Sequence, residues 1–93
     1  MNIEETTLEN CFVIQPKVIN DDRGYFSETF NQKEFNDRLN LNIQFVQDNE
    51  SLSSKGVLRG LHYQLGKYAQ AKLVRVIKGS VLDIVVDLSL IHI

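Results

Sequence analysis

The sequence has little of what would stabilise or anchor a small protein by means other than a packed core. Its single cysteine, Cys11, excludes an internal disulfide framework and fits a reducing compartment. Apolar runs are all far shorter than the about 20 residues that a membrane-spanning helix needs. The first ten residues are polar and acidic, without the pattern of a secretory signal. The 93-residue sequence therefore predicts a globular chain in the cytoplasm, without a membrane partner.

Common ligand-binding patterns are also missing. The two histidines, His62 and His92, lie 30 positions apart, and there is no Cys-X-X-Cys pair, so we expect no metal site. No glycine-rich phosphate loop occurs. The net charge of −2 and the lack of aromatic residues interleaved with basic ones argue against a nucleic-acid partner.

Charge is unevenly distributed along the chain. Residues 1–50 carry ten acidic and four basic side chains, a net charge of −6, whereas residues 51–93 carry two acidic and six basic ones, a net charge of +4. A ligand-facing surface built from the second half would favour an anion such as a phosphate. Ordinary charge scatter explains the same numbers, so both interpretations stay open.

The first quarter of the chain has the pattern of short strands. Short strand-like stretches at 11–14 and 17–19 flank Pro16, which favours an edge strand or an extended entry segment. Residues 21–24 read Asp-Asp-Arg-Gly, a turn signal. Residues 25–30 alternate imperfectly and predict a further strand.

One short helix is predicted from Asn31 onwards. The Asn31 side chain can cap the first turn, and Glu34 follows three residues later as in a capping box. Phe35 and Leu39 have the spacing of neighbours on one helix face.

The second half is dominated by β-branched and other apolar residues. Strands are predicted at 43–47 and 57–65, separated by a polar loop at 48–56. The clearest pattern, at 71–88, has two strand-like runs around Lys-Gly-Ser at 78–80 and predicts a hairpin. A mainly β chain with one short helix indicates a sandwich, a jelly roll or a barrel.

Arg59 and His62 occur close together inside a strand-like run. Strict alternation would place them on opposite faces, but Gly60 lies between them, and a bulge there would bring both to one face. The alternative is an edge strand with a solvated arginine and a partly buried histidine.

Three further polar residues are candidates for ligand binding. Gln47 and Asn49 alternate onto one face where a strand enters a loop, so their amides either bind polar ligand groups or cap a turn. Lys72 shares a face with Val74 and Val76, and it either reaches a pocket mouth or is a solvated residue at a strand end.

A set of motifs occurs in one order along residues 10–88. The motifs are Asp22–Phe26, Glu28, Phe30, Phe45–Asn49, Ser53–Gln64, Ala69–Val74, Gly79–Val81 and Val86–Leu88. In combination they closely resemble the dTDP-4-dehydrorhamnose 3,5-epimerase family of dTDP-L-rhamnose biosynthesis. The resemblance implies a cupin-type jelly roll (a double-stranded β-helix), a homodimer that exchanges N-terminal strands, and neither metal nor redox cofactor.

The resemblance also implies a reaction. The substrate class is a dTDP-linked 4-keto-6-deoxyhexose, which is epimerised by proton abstraction α to the ketone. His62 matches the family's general base, and Lys72 matches the residue that stabilises the enolate oxygen. A histidine suits the first role because its pKa lies near neutral pH. An ammonium group suits the second because negative charge develops on that oxygen.

Five more residues match binding positions of the family. Arg59 matches a contact to the diphosphate or the sugar, and Gln47 and Asn49 match substrate-binding positions. Arg23 and Glu28 match nucleotide-contacting positions that reach into the partner's site in the family's dimer.

The sequence departs from the family pattern after Leu88. Chains of that family are longer, and their acid tyrosine and their His-orienting aspartate lie beyond the matched residues. Tyr25, Tyr63 and Tyr68 do not match the acid. Residues 1–93 are therefore interpreted as a single partial cupin-like epimerase domain, the truncated first half of a jelly roll. The alternatives are a non-catalytic nucleotide-sugar binding module and a related cupin dTDP-sugar 3-epimerase or 3,4-ketoisomerase.

Overall fold

A computed structural model describes residues 1–90, which form four short strands and one helix before a long irregular segment. The elements are β1 (Asn2–Glu5), β2 (Phe12–Gln15), β3 (Val18–Asp21), β4 (Gly24–Ser27), α1 (Gln32–Leu39) and two 3₁₀ turns, Gly66–Tyr68 and Leu88–Leu90. The strands make two separate antiparallel pairs, β1 with β2 and β3 with β4. The predicted combination of mainly β structure with one short helix is confirmed.

Strand β1 was not predicted, because its sequence is mostly polar. It forms by pairing with β2 in a register that places Ile3 opposite Ile14. The loop between the two strands is closed by Thr6, whose hydroxyl donates a hydrogen bond of 2.7 Å to the carbonyl oxygen of Cys11. Asn10 adopts the left-handed conformation at φ 61°, which asparagine tolerates better than most residues.

The turn predicted at residues 21–24 is confirmed as the tip of the β3–β4 hairpin. Asp21 pairs with Gly24 across a two-residue connection. Gly24 has φ 132°, a conformation that residues with a Cβ rarely adopt. The sequence predicted this hairpin because the glycine stands where the chain must reverse.

The predicted helix is confirmed together with its cap. The Asn31 side-chain oxygen accepts a hydrogen bond of 3.0 Å from the backbone N–H of Glu34. At the other end Asn40 has φ 52°, the left-handed conformation that commonly terminates helices. Phe35 is the helix residue that is buried, with 6% of its surface exposed.

Three aromatic side chains surround this buried position. Phe30, Phe35 and Phe45 have ring centroids 5.4–5.8 Å apart in tilted and edge-to-face arrangements. This geometry is favourable because the positive edge of one ring meets the negative face of another. The cluster joins the chain before α1 to the chain after it, and it makes up the core of the described residues.

The strands predicted at 43–47 and 57–65 and the hairpin predicted at 71–88 are wrong for this structure. The described residues after α1 contain no strand. None of these segments pairs with another described segment, and the two runs within 71–88 do not pair with each other. An isolated two-stranded hairpin is only marginally stable in water without further strands or a helix to cover its apolar face. Their apolar side chains consequently stay in solvent, with Leu58 91% and Leu82 87% exposed.

The single α-helix has eight residues. Within the described part of the chain, no helix combines the length and the apolar character that a bilayer span requires.

Candidate functional site

At the tip of the β3–β4 hairpin, Arg23 is held by hydrogen bonds to the Asp21 carboxylate. One carboxylate oxygen of Asp21 accepts from the Arg23 backbone N–H at 2.8 Å, and the other accepts from Nη2 of the guanidinium, also at 2.8 Å. The hydrogen bond from the Arg23 side chain, with that from its backbone, lowers the pKa of Asp21 below its ordinary value of 3.8. The arginine is thus oriented at an exposed turn, with part of its charge balanced.

Glu28 lies between β4 and α1. Its carboxylate accepts a hydrogen bond of 3.2 Å from the amide nitrogen of Asn31, the residue that caps the helix. The capping interaction and this contact fix both ends of the Asn31 amide. Glu28 is exposed and is held close to the first turn of the helix.

The side chains of Gln47 and Asn49 contact each other, although the strand whose alternation predicted their common face is absent. Nε2 of Gln47 donates a hydrogen bond of 3.2 Å to Oδ1 of Asn49. The side-chain oxygen of Gln47 and the side-chain NH₂ group of Asn49 are not used in this bond. The pair therefore offers one acceptor group and one donor group to a polar ligand. The two side chains are exposed and belong to an irregular segment rather than to the predicted strand.

Arg59 is held by the loop that precedes it. Its Nε donates a hydrogen bond of 2.8 Å to Ser53 Oγ, and its Nη2 donates one of 3.1 Å to the Leu52 carbonyl oxygen. Both acceptors are uncharged. Among residues 1–90, no carboxylate lies within 4.0 Å of the Arg59 guanidinium, so its positive charge is not balanced by an ion pair. Arg23 and Arg38, in contrast, each have a carboxylate partner.

Gly60 and His62 are close together in space. Gly60 has φ 112°, and a Cβ added there would lie 3.7 Å from both the backbone nitrogen and Nδ1 of His62. The backbone conformation, rather than lack of space, therefore requires glycine at this position. His62 is exposed in irregular structure, so strand alternation does not decide which way its ring faces.

Lys72 is also exposed and lies in the irregular segment. Within the described chain, no hydrogen bond or ion pair links Arg59, His62 and Lys72 to one another. The meeting of these three side chains in one site stays a prediction.

No group of three His, Cys, Asp or Glu side chains among residues 1–90 could hold a metal ion. His92, the second histidine considered above, lies outside the described residues.

The partner that the sequence reasoning missed is Ser53. It belongs to the motif around Arg59, but a single serine in a polar loop carries no periodic signal that would assign it a contact. Its position six residues before Arg59 matters only once the loop has folded back.

A solved structure resembles this fold. The crystal structure of dTDP-4-dehydrorhamnose 3,5-epimerase from Elizabethkingia anophelis NUHP1 superposes with a TM-score of 0.70 and 54% sequence identity, over 74% of this chain and 38% of that one. The fold is accordingly that of a mainly β protein with part of a cupin-type jelly roll, as predicted.

The sequence comparisons agree with the structural one. Residues 5–90 match the profile of the family described as dTDP-4-dehydrorhamnose 3,5-epimerase. The relative of that name from Shigella flexneri is 52% identical over 88 residues, which are 95% of this chain and 49% of the relative. The one from Methanothermobacter thermautotrophicus is 54% identical over 84 residues, 90% of this chain and 44% of the relative.

These findings define a chain with part of a cupin-type fold. The chain belongs to the dTDP-4-dehydrorhamnose 3,5-epimerase family. It spans about half the length of the curated relatives that it matches.

Proposed function

We propose that the protein is a dTDP-4-dehydrorhamnose 3,5-epimerase, an isomerase of dTDP-L-rhamnose biosynthesis that acts on a dTDP-linked 4-keto-6-deoxyhexose. The supporting observation is the extent of the family match. It covers residues 5–90 and thereby includes all seven candidate residues, from Arg23 to Lys72. The relatives at about 52% identity are named for the same activity.

Two residues have catalytic roles in this proposal. His62 removes the proton from the carbon next to the ketone, first at one centre and then at the other. The electron pair of the broken C–H bond moves towards the ketone, and the oxygen at C4 becomes negatively charged. The ammonium group of Lys72 stabilises that oxygen, which lowers the barrier to proton removal. The electron pair of the enolate then returns to the carbon and forms a new C–H bond with a proton from an acid on the opposite face of the sugar, which inverts the centre.

The remaining candidates bind the substrate. Arg59 contacts the diphosphate or the sugar, and its unbalanced positive charge suits that role. Gln47 and Asn49 bind polar groups of the substrate through the amide acceptor and donor that their mutual hydrogen bond leaves unused. Arg23 and Glu28 contact the nucleotide.

The proposal includes a homodimer in which N-terminal strands are exchanged, so that Arg23 and Glu28 serve the partner's site. Each sheet described here has two strands, and every strand therefore has one unpaired edge. Apolar side chains on β3 and β4 are exposed, Ile19 by 53% and Phe26 by 68%. Sedimentation of the full-length protein should give twice the monomer mass. A monomer at micromolar concentration would remove this part of the proposal.

We also propose that residues 1–93 form a single partial cupin-like domain, which the size of the chain supports, and that the protein is cytoplasmic, which the lone cysteine supports. Limited proteolysis and fractionation of the native cell test these two statements.

The experiment for the activity is exchange of substrate protons with solvent. The full-length protein is mixed with dTDP-4-keto-6-deoxyglucose in D₂O, and the mass of the sugar is followed. Deuterium should enter at C3 and C5. A folded sample that binds dTDP but incorporates no deuterium supports the alternative of a non-catalytic binding module. Exchange at C3 alone, or movement of the ketone in the product, identifies a 3-epimerase or a 3,4-ketoisomerase instead.

A further inference from the structure

We infer that Ser53 is a positioning residue for Arg59, so that it sets the direction in which the guanidinium meets the anionic part of the substrate. This inference rests on the proposed substrate-binding role of Arg59. It concerns a side chain that does not itself touch the substrate, and it starts from the hydrogen bond of 2.8 Å between Arg59 Nε and Ser53 Oγ.

The loop before Arg59 is built so that the two residues can meet. The backbone N–H of Val57 donates to the carbonyl oxygen of Ser54 at 3.3 Å, which closes a turn. Gly56 inside the turn has φ 87°, a conformation that favours glycine. The chain therefore reverses between residues 54 and 57, and Arg59 returns alongside Leu52 and Ser53.

The two hydrogen bonds occupy one edge of the guanidinium. Nε and Nη2 share the side edge of the planar group, and their acceptors are Ser53 Oγ and the Leu52 carbonyl oxygen. An arginine has five N–H donors in a fixed fork, so the end edge formed by Nη1 and Nη2 keeps donors that can bind a second group. Two parallel donors on one edge are what a phosphate oxygen pair or a carboxylate requires.

The partners of Arg59 also preserve its charge. A hydroxyl and a carbonyl oxygen orient the guanidinium without neutralising it, whereas the Asp21 carboxylate that holds Arg23 balances part of that residue's charge. An arginine that is already oriented loses less side-chain entropy when an anion binds. Ser53 supplies the one side-chain contact in this arrangement, since the other acceptor belongs to the backbone.

Substitution of Ser53 in the full-length protein separates its role from that of Arg59. For Ser53→Ala we expect dTDP to bind about 3- to 10-fold more weakly in calorimetry, which is about the effect of losing one typical hydrogen bond. The KM of the epimerisation should rise by the same factor while kcat changes little. Ser53→Thr keeps the hydroxyl and should restore binding.

Two controls exclude a general disturbance of the loop. Ser54→Ala removes the neighbouring hydroxyl, which makes no hydrogen bond to Arg59, and should leave dTDP binding unchanged. In an Arg59→Ala background, Ser53→Ala should have no further effect, because the two residues act as one unit. If Ser53→Ala weakens binding equally in that background, Ser53 acts without Arg59 and the inference is wrong.

A measurement without substrate tests the role of Ser53 independently of the proposed function. In proton–nitrogen NMR spectra, the Nε–H signal of Arg59 should exchange with water more slowly in the natural protein and in Ser53→Thr than in Ser53→Ala. Equal exchange in all three overturns the positioning role even if dTDP binds. If the Nε–H exchanges slowly but dTDP does not bind, the contact between Ser53 and Arg59 exists and the proposed function is wrong. The role of Ser53 in substrate binding is then wrong as well.

Discussion

The side chain of Asn36 forms two hydrogen bonds with the backbone of Ile43. Its Nδ2 donates to the Ile43 carbonyl oxygen at 2.8 Å, and its Oδ1 accepts from the Ile43 N–H at 3.0 Å. This is the pairing that a neighbouring strand would offer. Gln32, one turn earlier on α1, also donates to the Ile43 carbonyl oxygen. The chain is thereby fixed just before Phe45 joins the aromatic cluster.

We expect Asn36→Ala to destabilise the protein by about 1–3 kcal/mol, because the Ile43 N–H loses its partner and the Ile43 carbonyl oxygen loses one of its two donors. Urea unfolding followed by circular dichroism measures the change. Asn42→Ala, which removes an exposed asparagine next to Ile43, is the matched control and should change the free energy of unfolding by less than about 0.5 kcal/mol. Equal effects of the two variants would show that the amide pairing is not stabilising.

The aromatic cluster leads to a second prediction. Phe35→Ala empties the buried centre between Phe30 and Phe45, and we expect a loss of about 3–5 kcal/mol in the free energy of unfolding. Phe35→Leu should cost less because it leaves a smaller cavity. Lys33→Ala on the exposed side of α1 is the control and should cost at most about 0.5 kcal/mol. Thermal unfolding provides the measurement. A Phe35→Ala variant as stable as the control would mean that the three rings do not form the core.

The helix and the β3–β4 hairpin were predictable because their signals are local. Asn31 caps the helix through a residue three positions away, and Gly24 has its φ of 132° where the turn signal placed it. Strand β1 was missed because its pairing with β2, Ile3 opposite Ile14, is not encoded in its own polar residues. The hairpin predicted at 71–88 has the composition of strands, but an isolated hairpin is only marginally stable, and no further strand among residues 1–90 packs against it.

The candidate site follows the same division. The side chains of Gln47 and Asn49 meet, but they do so in an irregular segment and not on the strand face that alternation predicted. The contact of Arg59 with Ser53 depends on how an irregular loop reverses, which has no periodicity to detect. The roles of His62 and Lys72 rest on the sequence motifs alone. Their side chains would meet only if the segments that carry them paired as strands, and residues 1–90 contain no such pairing.

A third prediction concerns protonation at the hairpin tip. Because hydrogen bonds from Arg23 stabilise the ionised form, Asp21 should titrate below 3.8 when its carboxyl carbon is followed by NMR. Because the pKa is lowered, the interaction stabilises the protein at pH values above the pKa of the unfolded state. That stability is lost as the pH falls through the pKa of the folded state.

Arg23→Ala removes the side-chain hydrogen bond, which is the larger cause of the shift, and should raise the Asp21 midpoint. The backbone hydrogen bond of residue 23 should keep part of the shift. In Lys33→Ala, whose lysine pairs with Asp37 instead, the midpoint should not move. An Asp21 midpoint unaffected by Arg23→Ala would mean that the pair does not form in solution.

A fourth prediction tests the proposed role of Lys72. Lys72→Met keeps the length of the side chain but removes the ammonium group, and deuterium exchange into the sugar should slow by about 10²- to 10³-fold. Binding of dTDP should change little, since the lysine acts on the ketone oxygen. Lys78→Met offers a matched loss of charge from the same half of the chain and should leave the exchange rate unaltered. Equal rates in both variants would assign the stabilisation of the oxygen to another residue.

The most direct measurement is the rate of deuterium incorporation into dTDP-4-keto-6-deoxyglucose by the full-length protein and by its His62→Asn variant, with dTDP affinity measured on the same samples. Deuterium should enter at C3 and C5 with the natural protein, and His62→Asn should lower that rate by at least about 10²-fold while dTDP still binds. Undiminished exchange in His62→Asn would show that His62 is not the base. Absence of exchange in a natural protein that is folded and binds dTDP would show that it is not an epimerase.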